Sequence, residues 1–406
     1  MAYSTGSKSL IRQLNRSAVL NLIKSEGPIA RVTIAQQLGL SPASVTSIAS
    51  ELEGLGLIRQ VAQARSAGGR PAELLALNPG AAGVIGVKLA DDHLAGVLSD
   101  LDGTVLASDA RPLGRHTPPA VARGLEALIR ALREAGPPLQ RVLGIGLGLP
   151  GVIDGRRGVC VDSPILGWRQ VPLAADLSER FDMPVLIDND VNTLAVAESI
   201  YGAGRDVDDF VAVTIGRGVG LGIVLGGQLQ RGRLGGAGEF GHLPVQRDGP
   251  PCECGRRGCL EALVADGALV RRARANGTLT EGDGVERLAE LAAAGHVGAR
   301  ALVSEAGWIL GVALAGLVNV LSPSLVVVSG EGMRARGVLE PELRTAMAQH
   351  LFPPLIGVEI VIDAWDDAKW ARGAAALVLE AFFSAGARNG MAARGVDLAS
   401  FVQEAG

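Results

Sequence analysis

Residues 238–242 read Gly238-Glu239-Phe240-Gly241-His242, and ten residues after His242 comes Cys252-Glu253-Cys254-Gly255-Arg256-Arg257-Gly258-Cys259-Leu260-Glu261. Three of the four cysteines in the chain fall within this run. Thiolate and imidazole are the ligands that tetrahedral zinc takes up, and a Cys3His set fills its coordination sphere, leaving no position for an activated water. His242, Cys252, Cys254 and Cys259 are therefore candidate ligands of a structural zinc ion. Ordinary buried thiols are the plainer alternative, but glycines set among clustered cysteines point to a knuckle rather than a core element. Disulfides belong to exported chains, and Met1–Leu10 lacks the charged start and apolar core of a secretory signal. A cytoplasmic location is expected. No run of about twenty apolar residues stands out, so neither a membrane span nor a membrane partner is expected.

Working outward, the 406 residues are enough for more than one domain. The net charge of −4 is unevenly spread. Up to residue 77 the basic residues Lys8, Arg12, Arg16, Lys24, Arg31, Arg59, Arg65 and Arg70 outnumber Glu26, Glu51, Glu53 and Glu73, so the rest of the chain is acidic. A basic head on an acidic body suits a polyanion-binding module attached to something else.

Within that head, residues 8–26 have helical apolar spacing, with Leu14, Ala18, Leu22 and Ile23 on one face, ended by Gly27-Pro28. A second helix spans about 31–38, with Val32, Ile34, Ala35 and Leu38, and Gly39 makes the turn. Ser41-Pro42 opens a third helix, with Ser as N-cap and Pro in the first position. There Val45, Ile48, Ala49 and Leu52 share the core face, leaving Ala43, Ser44, Thr46 and Ser47 outward. This is the layout in which the second helix of a pair enters the major groove of DNA. A strand pair, Arg59–Val61 with Leu74–Leu77, would form a wing whose tip brings Arg65 and Arg70 to phosphates or the minor groove. The plainer reading is a three-helix bundle with a linker. The outward Ser and Thr weigh against it, since a solvated face carries Glu and Lys more often. Ser41, Ala43, Ser44, Thr46, Ser47, Arg65 and Arg70 are the candidate DNA contacts, and a double-stranded operator is the expected partner.

Beyond Asn78-Pro79-Gly80, strand-like and helix-like segments alternate: Val84–Leu89, Leu94–Ser99 and Thr104–Ala107, a helix over 119–135, Val142–Leu147, Val185–Ile187, and a helix over about 191–200. The pattern then repeats with Phe210–Ile215 and Gly222–Leu225, helices across 258–318, and Leu325–Ser329. Two halves, each opening with a hairpin and continuing with βα units, imply an α/β protein of two lobes around a cleft.

Three motifs in this body, Asp188-Asn189-Asp190-Val191-Asn192, Gly238-Glu239-Phe240-Gly241-His242 and Cys252-x-Cys254-Gly255-x-x-Gly258-Cys259-Leu260-Glu261, resemble in order and spacing those of the ROK family of repressors and sugar kinases. The resemblance covers residues 80–385, and with the head it is to the regulator branch. It implies an actin-like (ribonuclease H-like) two-lobed sugar-kinase fold of the α/β class, preceded by an all-α winged helix-turn-helix domain. The expected divisions are 1–77 for the head, 78–385 for the sugar-sensing domain and 386–406 for a tail. Lobe one would be about 82–197 plus a C-terminal helix, and lobe two about 198–370. The resemblance also makes Asn189, Asp190, Glu239, His242 and Glu261 sugar ligands, with His242 shared with zinc, and makes Asp190 the counterpart of the kinases' general base.

The same resemblance shows a departure. Family kinases open the first hairpin with Asp-x-Gly-Gly-Thr-Lys, whereas this chain has Lys88-Leu89-Ala90-Asp91-Asp92-His93. Lys88 replaces the metal-serving Asp, and Asp91 and Asp92 would repel polyphosphate. Gly216-Arg217-Gly218-Val219-Gly220-Leu221-Gly222 keeps part of a second phosphate loop, but glycines persist for packing as well. Likewise Gly330-Glu331-Gly332 resembles an adenosine-side loop, and Trp168, after Leu166-Gly167, is either a sugar wall or a core anchor. The expectation is a sensor rather than an enzyme: a sugar-responsive repressor with no catalytic residue, Asp190 being vestigial, acting as a homodimer or homotetramer on DNA. The alternatives are an ATP-dependent sugar kinase with a regulatory head, and a body retained only for dimerisation.

Overall fold

Ser41 begins the third helix as expected: its Oγ accepts from Ser44 N at 3.1 Å, with Pro42 in the first helical position. The computed structural model describes residues 8–63, 73–139, 141–363 and 366–383. Arg65, Arg70 and the expected tail lie outside the described residues. The head consists of α1 (Lys8–Glu26), β1 (Ile29–Ala30), α2 (Arg31–Leu38), α3 (Pro42–Gly54), β2 (Ile58–Gln63) and β3 (Glu73–Leu77). Gly39, in the left-handed region at φ 63°, ends α2 as a side chain with Cβ would do only under strain. The strands form a sheet in the order β1-β3-β2, so the head is not all-α: β2 and β3 are the expected wing pair, and β1 adds a two-residue strand too short to be read in advance. A second correction concerns α1. Its buried apolar residues are Val19, Leu20 and Ile23, while Leu14 is 40% exposed and Ala18 and Leu22 only half-buried. Arg16 is buried beside them, paired at 2.5 Å with Glu51 of α3. In α2, Val32 is exposed as well. The core face of α3, Val45, Ile48, Ala49 and Leu52, is as expected.

The chain forms two compact units, Met1–Asp188 with Ala374–Gly406, and Asn189–Gly373. Beyond the head, the first unit has β4 (Gly83–Leu89), β5 (His93–Asp100), β6 (Val105–Pro112), α4 (Pro118–Ala135), β7 (Val142–Leu149), β8 (Val152–Asp154), β9 (Val159–Ser163), β10 (Trp168–Val171), α5 (Leu173–Phe181) and β11 (Val185–Asn189). Its large sheet runs β11-β7-β4-β5-β6, with β4 antiparallel to β5 and parallel to β7. Val121, Leu125, Leu128 and Leu132 of α4 belong to the core that covers it. Trp168 lies in the same core, 5% exposed, with its Nε1 donating to His116 O at 2.6 Å. It is a core anchor, which resolves its two readings.

The second unit contains α6 (Asp190–Tyr201), β12 (Phe210–Ile215), β13 (Val219–Leu225), β14 (Gln228–Leu229), α7 (Glu261–Val264), α8 (Asp266–Ala275), α9 (Val285–Ala293), α10 (Val297–Leu321), β15 (Leu325–Ser329), α11 (Arg336–His350) and β16 (Glu359–Ile362). Its sheet runs β14-β13-β12-β15-β16, two antiparallel pairings followed by two parallel ones. The first unit's sheet has the same order of elements, so each half does open with a hairpin and continue with βα units. One expectation needs amending: Val297–Leu321 is long and apolar enough by composition to cross a membrane. Here α10 packs on α11 through Gly307 and Gly311, where the backbone of Leu339 and Leu343 leaves no room for a Cβ. The last helix, α12 (Asp367–Phe383), contributes its first residues to the second unit and the remainder, from Ala374, to the first.

Candidate functional site

Asn189 and Asp190 stand where β11 turns into α6. Asn189 caps that helix, its Oδ1 accepting from Val191 N at 2.9 Å and Asn192 N at 3.2 Å, and Asp190 Oδ1 also accepts from Val191 N, at 3.0 Å. A side-chain oxygen on orphan amides is how a helix start is stabilised. Helix α6 rests on β13 where side chains are missing. A Cβ at Gly220 would come within 2.4 Å of Val191 Cγ2, and one at Gly222 within 2.7 Å of Ala195 Cβ.

The 238–242 turn uses the same strand. Gly238, at φ 88°, has Leu221 O where a Cβ would need to be, 2.0 Å away. Glu261, the first residue of α7, accepts from Val219 N through Oε2 at 3.1 Å. Strand β13 is therefore the common support: α6, with Asn189 and Asp190 at its start, lies on it, the 238–242 turn packs on its backbone, and Glu261 is held to it through its carboxylate. His242 Nε2 is 3.8 Å from Glu239 Oε2. Burial pushes the Glu239 carboxyl up, with His242 opposing and Glu261 adding to the rise.

Beside these residues lies the cysteine knuckle, shaped by Cys252 N donating to Arg256 O at 2.8 Å and Gly255 N to Cys252 O at 3.0 Å. His242, Cys252, Cys254 and Cys259 bring four ligand atoms within 4.8 Å of one another. Cys254 Sγ and Cys259 Sγ are 3.8 Å apart, and Cys252 Sγ is 3.6 Å from His242 Nδ1. Two sulfurs about 2.3 Å from a tetrahedral centre stand ~3.8 Å apart, and a sulfur and an imidazole nitrogen ~3.6 Å. The set can hold a metal ion, with Nδ1 of His242 facing it and Nε2 on the Glu239 side. Burial pushes the Cys252 thiol up to about 12 and raises Cys259. For Cys254 burial acts in the same direction, but a backbone hydrogen bond from Arg256 and the neighbouring thiols outweigh it and lower the pKa. Three such thiols do not ionise together at neutral pH without a cation to offset their charge, so loading would release protons. Cys252 Sγ is also 3.9 Å from Glu261 Oε1, which puts knuckle and carboxylate in direct contact.

The two hairpin turns that the resemblance makes phosphate loops both engage protein groups. Lys88 is buried on β4, 5% exposed. After it, Asp92 pairs with His93 Nδ1 at 2.5 Å and the His116 ring bonds Asp91 O. The hydrogen bond from His93, with its charge, holds Asp92 below the usual carboxylate range. In the second unit, Gly216 N donates to Gly218 O at 3.0 Å. A Cβ on Gly216 would come within 2.2 Å of Glu331 Oε2, and one on Gly218 within 2.8 Å of Glu261 Oε2. The position of Glu331 was not anticipated; its signal was an acid between Gly330 and Gly332. On the head, Ser41, Ala43, Ser44, Thr46 and Ser47 are all exposed. Three of the hydroxyls have local partners: Thr46 Oγ1 donates to Pro42 O at 2.9 Å, and Ser41 and Ser44 share a contact at 2.8 Å.

Residues 84–381 match the ROK family as a whole. The chain belongs to the ROK family. It is 32% identical over 387 residues to the DNA-binding transcriptional dual regulator NagC of Escherichia coli, covering 93% of this chain and 95% of that protein. It is 27% identical over 349 residues to a xylose repressor of Bacillus spizizenii, covering 86% and 90%. Among solved structures, a ROK family transcriptional regulator described as a homologue of the E. coli MLC protein superposes with a TM-score of 0.82 at 27% identity, over 97% of this chain and 100% of that one. A ROK glucokinase from Streptomyces griseus, solved with glucose and AMPPNP, gives 0.63 at 28% identity, over 73% of this chain and 98% of the kinase. The actin-like sugar-kinase fold follows from these structures. The solved ROK regulator covers all but 3% of this chain, so it matches through the head, while the glucokinase leaves 27% uncovered.

Proposed function

We propose that this ROK protein is a sugar-responsive transcriptional repressor of carbohydrate genes and not a kinase. The observation that carries the reading is the extent of the likeness: similarity to the repressors runs through head and body together, over 93% of the chain for NagC. On this reading α3 enters the major groove, presenting Ala43, Ser44, Thr46 and Ser47 to base edges, and Arg65 and Arg70 reach phosphates. Because Thr46 and Ser44 already bond locally, Ser47 carries the larger share of hydroxyl readout. The effector is a neutral sugar or derivative addressed by Asn189, Asp190, Glu239, His242 and Glu261. Carboxylates suit such a ligand, since each hydroxyl taken from water needs an acceptor. Zinc, when bound by His242, Cys252, Cys254 and Cys259, would supply the positive charge that lets the thiolates form. His242 Nδ1 would then be committed, leaving Nε2 to face Glu239 and the sugar. The protein would act in the cytoplasm as a homodimer or homotetramer on a palindromic operator.

Asp190 keeps an acceptor for a hydroxyl, but Asp91 and Asp92 in one turn and Glu331 in the other oppose the polyphosphate donor that turnover requires, and Lys88 stands where a metal-serving Asp would be needed. The test is operator binding by fluorescence anisotropy with and without glucose, xylose, N-acetylglucosamine and its 6-phosphate. One of these is expected to change operator affinity, and operator binding should weaken steeply with salt. A protein that binds a sugar by calorimetry while operator affinity stays fixed sinks the reading, as does ATP-dependent turnover of any of the four. Chelation followed by metal analysis should weaken sugar binding by at least about tenfold while leaving DNA recognition by the head in place. Unchanged sugar affinity in the metal-free protein would break the link between knuckle and sugar.

A further inference from the structure

Asn21 and Lys24 on α1 hold the last described residue of α12, Phe383. Asn21 Nδ2 donates to Phe383 O at 2.8 Å, a contact between residues 362 apart in sequence. Lys24 Nζ lies 3.9 Å from the centre of the Phe383 ring. That ring is buried and meets Phe382 edge-on, with centroids 5.2 Å apart. Burial lowers the Lys24 pKa, with Asp102 and Glu380 opposing, so the ammonium is set against an apolar surface with acids near it. Phe383 is the last described residue of α12, and the Asn21 carboxamide and Lys24 cation both meet it. A head that needed only to be tethered would require none of this.

The beginning of the same helix is held as firmly by α6. Lys369 bridges Glu198, at 2.8 Å, and Asp363, and the Glu198 side chain is 1% exposed. Trp370 is buried with Val191 and Leu194. The Arg372 guanidinium lies 3.5 Å over the Tyr201 ring, and Gly373 passes so close to Thr193 that a Cβ would stand 2.0 Å from its carbonyl oxygen. These four residues of α12 grip α6 from its first turn to its last, and α6 is the helix that Asn189 caps and Asp190 starts.

We propose that α12 carries the effector state of α6 to the DNA-binding head, and that Asn21 and Lys24 are the positioning residues that receive it. The inference rests on the sugar-responsive reading. An effector bound at Asn189 and Asp190 changes the environment of the start of α6; the clasp at Lys369–Gly373 passes any shift of α6 into α12; Asn21 and Lys24 pass it to α1, and α1 packs on α2 and α3. A two-ended element of this kind is what a physical account of coupling requires.

The experiment compares the full-length protein with the double variant Asn21→Ala, Lys24→Met and with Lys24→Arg, against glucose, xylose, N-acetylglucosamine and its 6-phosphate. Sugar affinity is read by calorimetry and operator affinity by anisotropy on the same preparations. The double variant is expected to bind sugar and operator, but the sugar-induced change in operator affinity, about fivefold or more in the wild type, should fall towards one. Lys24→Arg, which keeps the cation over the ring, should retain it. A double variant that keeps the full wild-type ratio overturns the proposal. Should the wild type bind sugar with no change in operator affinity, the functional reading fails, and hydrogen–deuterium exchange of α1 decides this inference by itself. Sugar-dependent protection of α1 in the wild type that is lost in the double variant supports it, and identical exchange in both refutes it.

Discussion

The first hairpins of the two five-stranded sheets, β4–β5 and β12–β13, occupy equivalent places in one repeated plan and end in different chemistry. In the first unit the turn has lost its glycines: Asp91 and Asp92 stand there, tied down by His116 and His93. In the second the glycines remain, but protein atoms fill the space they open. Glu331 lies against Gly216, Glu261 against Gly218, Val191 against Gly220 and Ala195 against Gly222. The first turn differs from a glycine-rich one by substitution, and the second by occupation of the space its glycines open. A glycine run therefore says that something approaches the backbone closely, and only the surroundings say whether it is a ligand or the protein itself.

If occupation is the right account, adding a methyl group in the second turn is far more costly than trimming the first. Gly222→Ala, which drives a Cβ towards Ala195 Cβ and Val191 O, should lower stability by about 3 kcal/mol in denaturant titrations. Asp92→Ala, whose carboxylate is 81% exposed, should cost less than about 1 kcal/mol. Equal effects would remove the distinction.

An intermediate effect is expected at Asp266, whose N–H donates to Gly216 O and whose carboxyl burial pushes up to about 6, Arg334 opposing and Glu331 and Glu286 adding. Folded protein keeps this proton to higher pH than the unfolded chain, which releases it near 3.8, so stability falls as pH rises through that window and stays lower above it. Asp266→Asn should thus stabilise by about 2 kcal/mol at pH 7.5, with the gain vanishing near pH 4, as thermal unfolding across pH would show. The smallest change is expected from Glu331→Gly, which clears the second turn and leaves the first untouched. Its affinity for a non-hydrolysable ATP analogue should stay undetectable by calorimetry; tight binding would mean that Asp91 and Asp92 do not matter.

Much of this was readable where one residue type has one job. Ser41-Pro42 and Gly39 bounded α3 and α2, and the strands Phe210–Ile215 and Leu325–Ser329 stood out as unbroken apolar runs. The knuckle was legible because few arrangements of three thiols and an imidazole serve any other purpose. The face of α1 was misread because a hydropathy pattern counts Arg16 as surface, whereas the fold buries it by pairing it with Glu51. The β8–β10 strands were overlooked for a different reason: at three to five residues they are too short for alternation to register. Asn189 was read as a ligand alone, although its oxygen is spent on starting α6. The closure of the second turn depends on Glu331, which lies more than a hundred residues from the glycines it touches, and no local pattern carries that.

The passage of α12 from one unit to the other also sets an order of assembly. Residues 189–373 are contiguous and can complete their unit as they leave the ribosome. The unit that contains the N-terminal head cannot, because β7 has bare glycines at Gly144 and Gly146 that await Val378 and Ala374. The first half of the chain to be synthesised is thus the last to be finished, and a message truncated before codon 374 would yield a folded C-terminal unit joined to a sheet with one side uncovered, a ready substrate for proteolysis.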